Sequence, residues 1–536
     1  MRRIRNYFIT FAVVFAISSA YALIGVQDAK AQESAALGDL IKRIEALESK
    51  GGGGNVTTDA KKLKIGLAIR TRMEVKKSWK VGTGATRAAR NAAGQYILST
   101  PNPETAHTVN DRTHSGISDT HEFTLQRVRL SFDFDVNKNV AAKMVISDNR
   151  TFGGTGSTTG TGELNMTQGT VDLKNLGDIS PILENISVRI GRWQMFYGDH
   201  RLIGHLNWGN TGRVWDGAKV RWDNKKGSWM ELFATEVSAT TTGTAPGDSV
   251  STTNADELFW GLYTHFKTPM EGVIAEPYLI IRDRSHDTGE SAGEKRWTSG
   301  LRIAGKKLPG LPGVDFKAEQ AWQTGETRAI GSKGVTGGST GETSNNRASN
   351  SISAFAGAWG AGYTFSNVPW SPRIGYQYAF ASGDDAPGTG SDETFRQLYP
   401  TGHARLGYMD MHGWQNLQAH KIEFSAKPSK KLLLKADLWF FEADEEVDDW
   451  YSVGGGTTRS GGDQTTIRVG AGGSQLVTID DEYGQELDLT VKYKLFKNFG
   501  VVAGYSHYFT GDFMEDTNNG LTRDMDWAYL MTSLKF

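Results

Sequence analysis

The sequence predicts an all-β protein: a closed antiparallel transmembrane β-barrel of about 18 strands, preceded by a short N-terminal helix or coiled coil. Three observations lead there. From Lys61 onward, runs of about 9–12 residues alternate apolar with polar, and loops rich in Gly, Ser, Thr, Asp and Asn separate them. Beyond the N-terminus no stretch stays apolar for the ~18 residues that a spanning helix needs. Short turns alternate with long loops along the chain, the arrangement of barrels with short periplasmic turns and long outer loops.

The first element is a targeting segment. Arg2, Arg3 and Arg5 precede an apolar run from Tyr7 to Ile17, and Ala29-Lys30-Ala31 is an A-x-A site. That order reads as a secretory signal over residues 1–31, cleaved after Ala31. Residues 32–50 form the second element. Leu37, Leu40, Ile44 and Leu47 fall at a and d of two heptads. Two heptads are too short to be a stable lone helix. The seam suits either a periplasmic homotrimer helix through residues 37–47 or an amphipathic spacer. A Gly-rich tether, 51–60, follows, and residues 61–536 remain for the barrel.

Within the barrel each run has one apolar and one polar face, because side chains alternate across a strand. Leu63, Ile65, Leu67 and Ile69 oppose Lys64, Arg70, Arg72 and Glu74. Val128, Leu130, Phe132 and Phe134 oppose Arg127, Arg129, Ser131 and Asp133. Strands are expected at 62–75, 123–136, 138–149, 168–175, 185–193, 216–224, 227–236, 258–268 and 274–284. They continue at 296–306, 314–323, 352–365, 372–381, 419–427, 431–443, 484–496, 499–510 and 526–536. Soluble sandwiches alternate too, but their strands usually run 5–6 residues. Here the length matches a bilayer-crossing strand. The last run places Ala528, Leu530, Thr532, Leu534 and the terminal Phe536 on one face. This resembles the signal read by the outer-membrane assembly machinery.

Composition narrows the function. Lys plus Arg is 59 and Asp plus Glu 60. Four of those basic residues and one of the acidic lie in the signal, which leaves the mature chain at net −4. That balance excludes the basic excess of a nucleic-acid binder. With Cys at 0 there is no disulfide framework, thiolate metal site or Cys-attached haem. No H-E-x-x-H and no G-x-x-x-x-G-K-[ST] occurs, and the Gly/Thr-rich stretch 153–162 lacks a lysine. The expectation is therefore no enzyme and no cofactor.

One stretch breaks the alternation. It reads Gly191-Arg192-Trp193-Gln194-Met195-Phe196-Tyr197-Gly198-Asp199-His200-Arg201-Leu202-Ile203-Gly204, then Asn207-Trp208-Gly209-Asn210 and Gly212-Arg213-Val214-Trp215-Asp216-Gly217. It resembles the alginate-export family of outer-membrane porins. Phe123 to Asp135 with Asp148-Asn149-Arg150 is similar to that family's early strands. Ser382-Gly383-Asp384-Asp385 also fits, with Phe395, Leu398, Pro400, Thr401, His403, Gly407, Asp410 and Asn416. The resemblance implies an 18-stranded barrel, and its exporter moves an acidic polysaccharide through an Arg-rich pore. The N-terminal heptads depart from that exporter.

Alternation places Arg70, Arg72, Arg127, Arg129, Lys143, Arg189, Lys219, Arg221, Arg282, Arg284, Arg302, Lys317 and Lys435 on the inner face. Glu74, Asp133, Asp223, Glu319, Asp437, Glu486 and Asp488 join them. Basic residues outnumber acidic ones there although the whole chain is acidic. Cations inside a low-dielectric wall attract anions. The segment 193–213 reads either as an element folded into the pore, pointing Arg192, Asp199, Arg201, Asn207 and Arg213 at the channel, or as a rim loop. In the rim reading Trp208 and Trp215 belong to the interfacial girdle. Residues 382–418, with His403 and Asp410, are a second candidate gate. The leading expectation is an outer-membrane channel of a Gram-negative bacterium, bathed in outer-membrane lipid and passing anionic small molecules or an acidic polysaccharide by diffusion. The alternative is a structural barrel that houses a periplasmic partner in a larger complex.

Overall fold

In the computed structural model the described residues are 62–77, 86–88, 97–99, 120–152, 164–238, 257–284, 294–328, 349–387, 390–403, 405–462, 466–470, 473–517 and 523–536. The expected signal, heptad helix and tether lie outside them. Eighteen strands form the wall. These are β1 (Lys62–Lys77), β2 (Thr120–Asp135), β3 (Val140–Phe152), β4 (Asn165–Leu173), β5 (Ile186–Trp193) and β6 (Val214–Asp223). Then come β7 (Trp229–Ser238), β8 (Leu258–Lys267), β9 (Val273–Asp283), β10 (Glu294–Leu308), β11 (Leu311–Arg328) and β12 (Ser349–Thr364). The last are β13 (Arg373–Ala381), β14 (Leu417–Ser429), β15 (Leu432–Glu442), β16 (Glu482–Lys494), β17 (Phe499–Thr510) and β18 (Met525–Lys535). Each expected strand corresponds to one of them.

Neighbours in sequence are neighbours in the sheet, all antiparallel, and β1 closes the ring by pairing with both β2 and β18. Closure removes free sheet edges, which a bilayer cannot hydrate. The seam is tied at the terminus: the Phe536 N–H donates to the Leu67 carbonyl at 2.8 Å, and Leu67 N–H donates back at 3.1 Å. Turns at one end are short and locally self-capped. Asn137 Oδ1 accepts from the N–H groups of Asn139 and Val140, both at 2.8 Å, and Asn224 Oδ1 accepts from Lys226 and Ser228, both at 2.9 Å. Asn favours such turns because its side chain caps nearby backbone donors.

The outer face is apolar and unpartnered by protein. Leu63, Ile65, Met73, Val220, Leu232, Leu489, Val491 and Leu530 are all exposed. An apolar band of that extent is the kind of surface a membrane barrel turns toward lipid. Tyr363, Phe365, Trp370 and Phe496 are exposed near the short-turn rim, and Trp297, Phe355 and Phe509 toward the opposite end. These form the two aromatic girdles.

The inner face carries a core of its own. Segments following β5, β13 and β15 fold into the lumen and bury Met195, Leu202, Ile203, Phe395, Tyr399, Met409, Met411, Trp414 and Trp450 against inward aromatic residues of the wall. His412 lies between Phe441 and Trp450, with ring centroids 4.0 and 5.1 Å away. A short helix, α1 (Asp512–Thr517), adds Phe513 and Met514.

Candidate functional site: an arginine-held segment inside the lumen

The chain leaves the wall at Trp193 and returns at Val214. Two residues before it leaves, Gly191 has φ 122°, and a Cβ there would lie 2.2 Å from the Gly169 carbonyl oxygen. Only glycine fits that kink. The in-folded reading of this stretch is the one found. Trp215 is fully buried inside, and Trp208 stacks on His403 at 3.9 Å with planes 8° apart, so neither belongs to the outer girdle.

Four arginines from adjacent strands β1 and β2 hold the segment by its backbone. Arg70 donates to the carbonyls of Asn207 (2.7 Å) and Gly209 (3.1 Å). Arg127 donates to the same two at 3.1 and 3.2 Å. Arg129 donates to Asn207 Oδ1 at 2.9 Å and to the Thr211 carbonyl at 2.8 Å. Arg72 donates to the Trp208 carbonyl at 2.8 Å and covers the indole at 3.9 Å. Its other partner is Glu74, at 2.6 Å. Among the described residues, Arg70, Arg127 and Arg129 form no ion pair. Their charge is met by neutral carbonyl and amide oxygens, so the local potential stays positive.

A second in-folded segment, 382–416, locks against the first. Ile203 and Tyr399 form an isolated parallel bridge. The N–H of Gly204 donates to the Tyr399 carbonyl at 2.8 Å, that of Tyr399 to Leu202 at 2.9 Å, and that of Thr401 to His200 at 2.9 Å. Arg213 donates to the Pro400 carbonyl at 2.9 Å and to Gly204 at 3.3 Å. His403 Nδ1 lies 3.1 Å from both carboxylate oxygens of Asp410. Asp384 is buried beside Asp448, which accepts its N–H at 3.1 Å.

The other expected site residues divide into paired groups. Arg189 pairs with Asp172 at 2.5 Å. Arg221 pairs with Asp223 at 2.9 Å and Glu231 at 3.1 Å. Arg282 pairs with Glu257 at 3.0 Å. Arg302 joins Glu276 (2.6 Å) and Asp199 (2.9 Å), and Lys317 joins Asp199 at 2.7 Å. Arg201 is buried near Trp414. The inward cations are therefore not equivalent: one cluster on β1–β2 meets neutral oxygens, and Arg189, Arg221, Arg282, Arg302 and Lys317 are held in ion pairs. Arg192 does not point at the channel. It shares the parity of exposed Ile190 and pairs with Asp216 at 2.7 Å on the outward face.

Electrostatics follow burial. Burial would raise Asp199, but Lys317, Arg302, Arg201 and Arg405 outweigh it and hold its carboxyl well below the usual range. His200 is held at about 4 by burial and then by Arg405. His205 is also at about 4, through burial, then His200, Arg129 and Arg127. Both imidazoles pack on Phe196, at 4.8 and 5.0 Å. Among the described residues, no group of three His, Asp or Glu is arranged to hold a metal.

A closed 18-stranded wall with a lipid-facing exterior and in-folded segments defines an outer-membrane β-barrel channel. The family model for alginate export matches residues 103–525, most of the sequence, and the chain belongs to that family. Among solved structures it is similar to OccK8 (OprE) of Pseudomonas aeruginosa. That likeness has a TM-score of 0.50 at 13% identity and covers 89% of this chain and 98% of that one. OccAB1 of Acinetobacter baumannii aligns with a TM-score of 0.48 at 11% identity, over 90% and 99%. At such identities the likeness is one of fold. No curated protein matches the sequence.

Proposed function

We propose that this chain is a passive channel for anionic solutes or an acidic polysaccharide, exported with its signal cleaved after Ala31. Its role is transport, with no chemical step. The observation that carries this reading is the cluster of Arg70, Arg127 and Arg129, whose guanidiniums face only neutral oxygens. Guanidinium stays charged at any working pH and presents a planar fork to carboxylates. Within a low-dielectric wall such a cluster concentrates anions and repels cations. The ion pairs of Arg189, Arg221, Arg282 and Arg302 keep those parts of the wall nearly neutral. A barrel that houses a protein partner would need an open lumen. Here two segments with a shared aromatic core occupy that space, which favours the channel. Exchanging Arg127 and Arg129 together for Ser tests the reading by reversal potential under a salt gradient. A fall in anion preference supports it, and unchanged selectivity removes this cluster from the conducting path.

A further inference from the structure

Phe196 points away from the core that the rest of its segment builds. Its neighbours Met195 and Tyr197 are buried, whereas Phe196 is 52% exposed. The segment lies inside the closed ring, so this face is open to the lumen and not to lipid. Two imidazoles sit beside it. The rings of His200 and His205 lie 4.8 and 5.0 Å from Phe196 and 4.9 Å from each other, between centroids. Both are only half-buried.

Backbone contacts fix how the three rings are presented. The His200 N–H donates to the Tyr197 carbonyl at 2.9 Å, with His200 itself at φ 62°. The Asn207 N–H donates to His205 Nδ1 at 3.2 Å. That bond places the proton of the neutral His205 ring on Nε2, as a donor at the edge of the trio.

A guanidinium from the second segment flanks the rings. Thr401 is bonded to the His200 carbonyl, and Arg405 follows four residues on, its own N–H turned back to the Gly402 carbonyl at 2.8 Å. Arg405 is half-buried and acts electrostatically on both His200 and Asp199. Among the described residues it makes no ion pair. The Asp199 carboxylate contacts Arg302 and Lys317 instead, at 2.9 and 2.7 Å. An apolar ring left in water beside an unpaired guanidinium complements one kind of solute. A planar ring gains contact with Phe196 and the imidazole edges, at the spacing of about 4.5–7 Å that aromatic pairs favour. A carboxylate on that ring meets a planar fork of donors.

We propose that Phe196, His200, His205 and Arg405 form a binding site inside the lumen for a planar aromatic monocarboxylate. The inference rests on the anion-channel reading and narrows the solute to a small organic acid that carries a ring. One unpaired cation matches one negative charge, and the ring supplies the selectivity that charge alone lacks.

Saturation-transfer NMR on the full chain in detergent tests it, with benzoate as the probe. Cyclohexanecarboxylate, of similar size but without a π face, and acetate, without a ring, compete against it. Benzoate should bind about fivefold more tightly than cyclohexanecarboxylate. Phe196→Leu keeps an apolar side chain and should remove that preference, while Phe196→Tyr should retain it. Arg405→Gln should weaken benzoate about tenfold. It is the independent check if Phe196→Leu does not assemble, as judged by heat-modifiable gel mobility. No transfer to benzoate, equal affinity for the two ring acids, a preference that survives Phe196→Leu, or unchanged affinity in Arg405→Gln would overturn the site. Binding is read here without conductance, whereas reversal potential in simple salt reports on the anion-channel reading, so the two failures are distinguishable.

Discussion

Replacing Asn207 with Ala should loosen the in-folded segment without opening the wall. Asn207 sits where the arginine cluster meets that segment. Its side chain accepts from Arg129 at 2.9 Å and exchanges two hydrogen bonds with the Gln194 amide, both at 2.9 Å. A bond from a charged donor contributes about 1.5–3 kcal/mol and a neutral one about 0.5–1.5. Water recovers part of this at a half-buried site, so the net loss is about 3 kcal/mol. The backbone carbonyl of residue 207 still accepts from Arg70 and Arg127, which limits the damage to the segment. A shift of about 3 kcal/mol moves a local open–closed equilibrium on the order of 100-fold. In single-channel recordings this should appear as added open-channel noise and larger conductance steps. Heat-modifiable mobility should be unchanged, because the closed ladder carries the global stability. Conductance and noise identical to the unaltered protein, with normal mobility, would refute the idea that this side chain fastens the segment.

Three further outcomes follow from the same contacts. Gly204→Val should wedge the two lumen segments apart and raise conductance, because a Cβ there would lie 2.5 Å from the Thr401 nitrogen; a silent substitution in recordings would contradict the bridge between them. Asp199→Asn removes the carboxylate shared by Arg302 and Lys317 and should increase anion preference while destabilising the segment, read by reversal potential and by protease sensitivity. Stability of the segment around His200 and His205 should be fully present above about pH 6.5, their free value, and lost as pH falls through about 4. Both imidazoles are packed neutral and must take up protons below that window. Current noise should rise over this range and stay flat in a His200→Phe, His205→Phe double variant.

The wall was legible from alternation alone, because a lipid-facing side chain must be apolar at every second position and each short turn carries Asn, Asp, Gly or Lys. Strand ends shifted by a few residues, as in β11, which runs on to Arg328; solvent-side pairing continues past the apolar band that marks a strand in sequence. Period two also placed Arg70, Arg72, Arg127 and Arg129 on the inner face, where they are found. Their partners were not legible. Backbone carbonyls of residues 207–211 have no sequence signature, and the lost alternation of 194–213 showed only that the stretch is not wall. Arg192 lies within the expected strand 185–193, and the parity it shares with exposed Ile190 turns it outward. Apart from Arg221–Asp223, two apart on one strand, the ion pairs that neutralise Arg189, Arg221, Arg282 and Arg302 join different strands or a loop and a strand, and only register reveals them.

Reversal potential of the purified full chain in a planar bilayer under a potassium chloride gradient tests the central claim most directly. Discrete steps with chloride favoured over potassium, lost when Arg70, Arg127 and Arg129 are exchanged for Gln, are the result this account predicts. Steps of equal or cation preference, or inserted protein that stays silent, would contradict it.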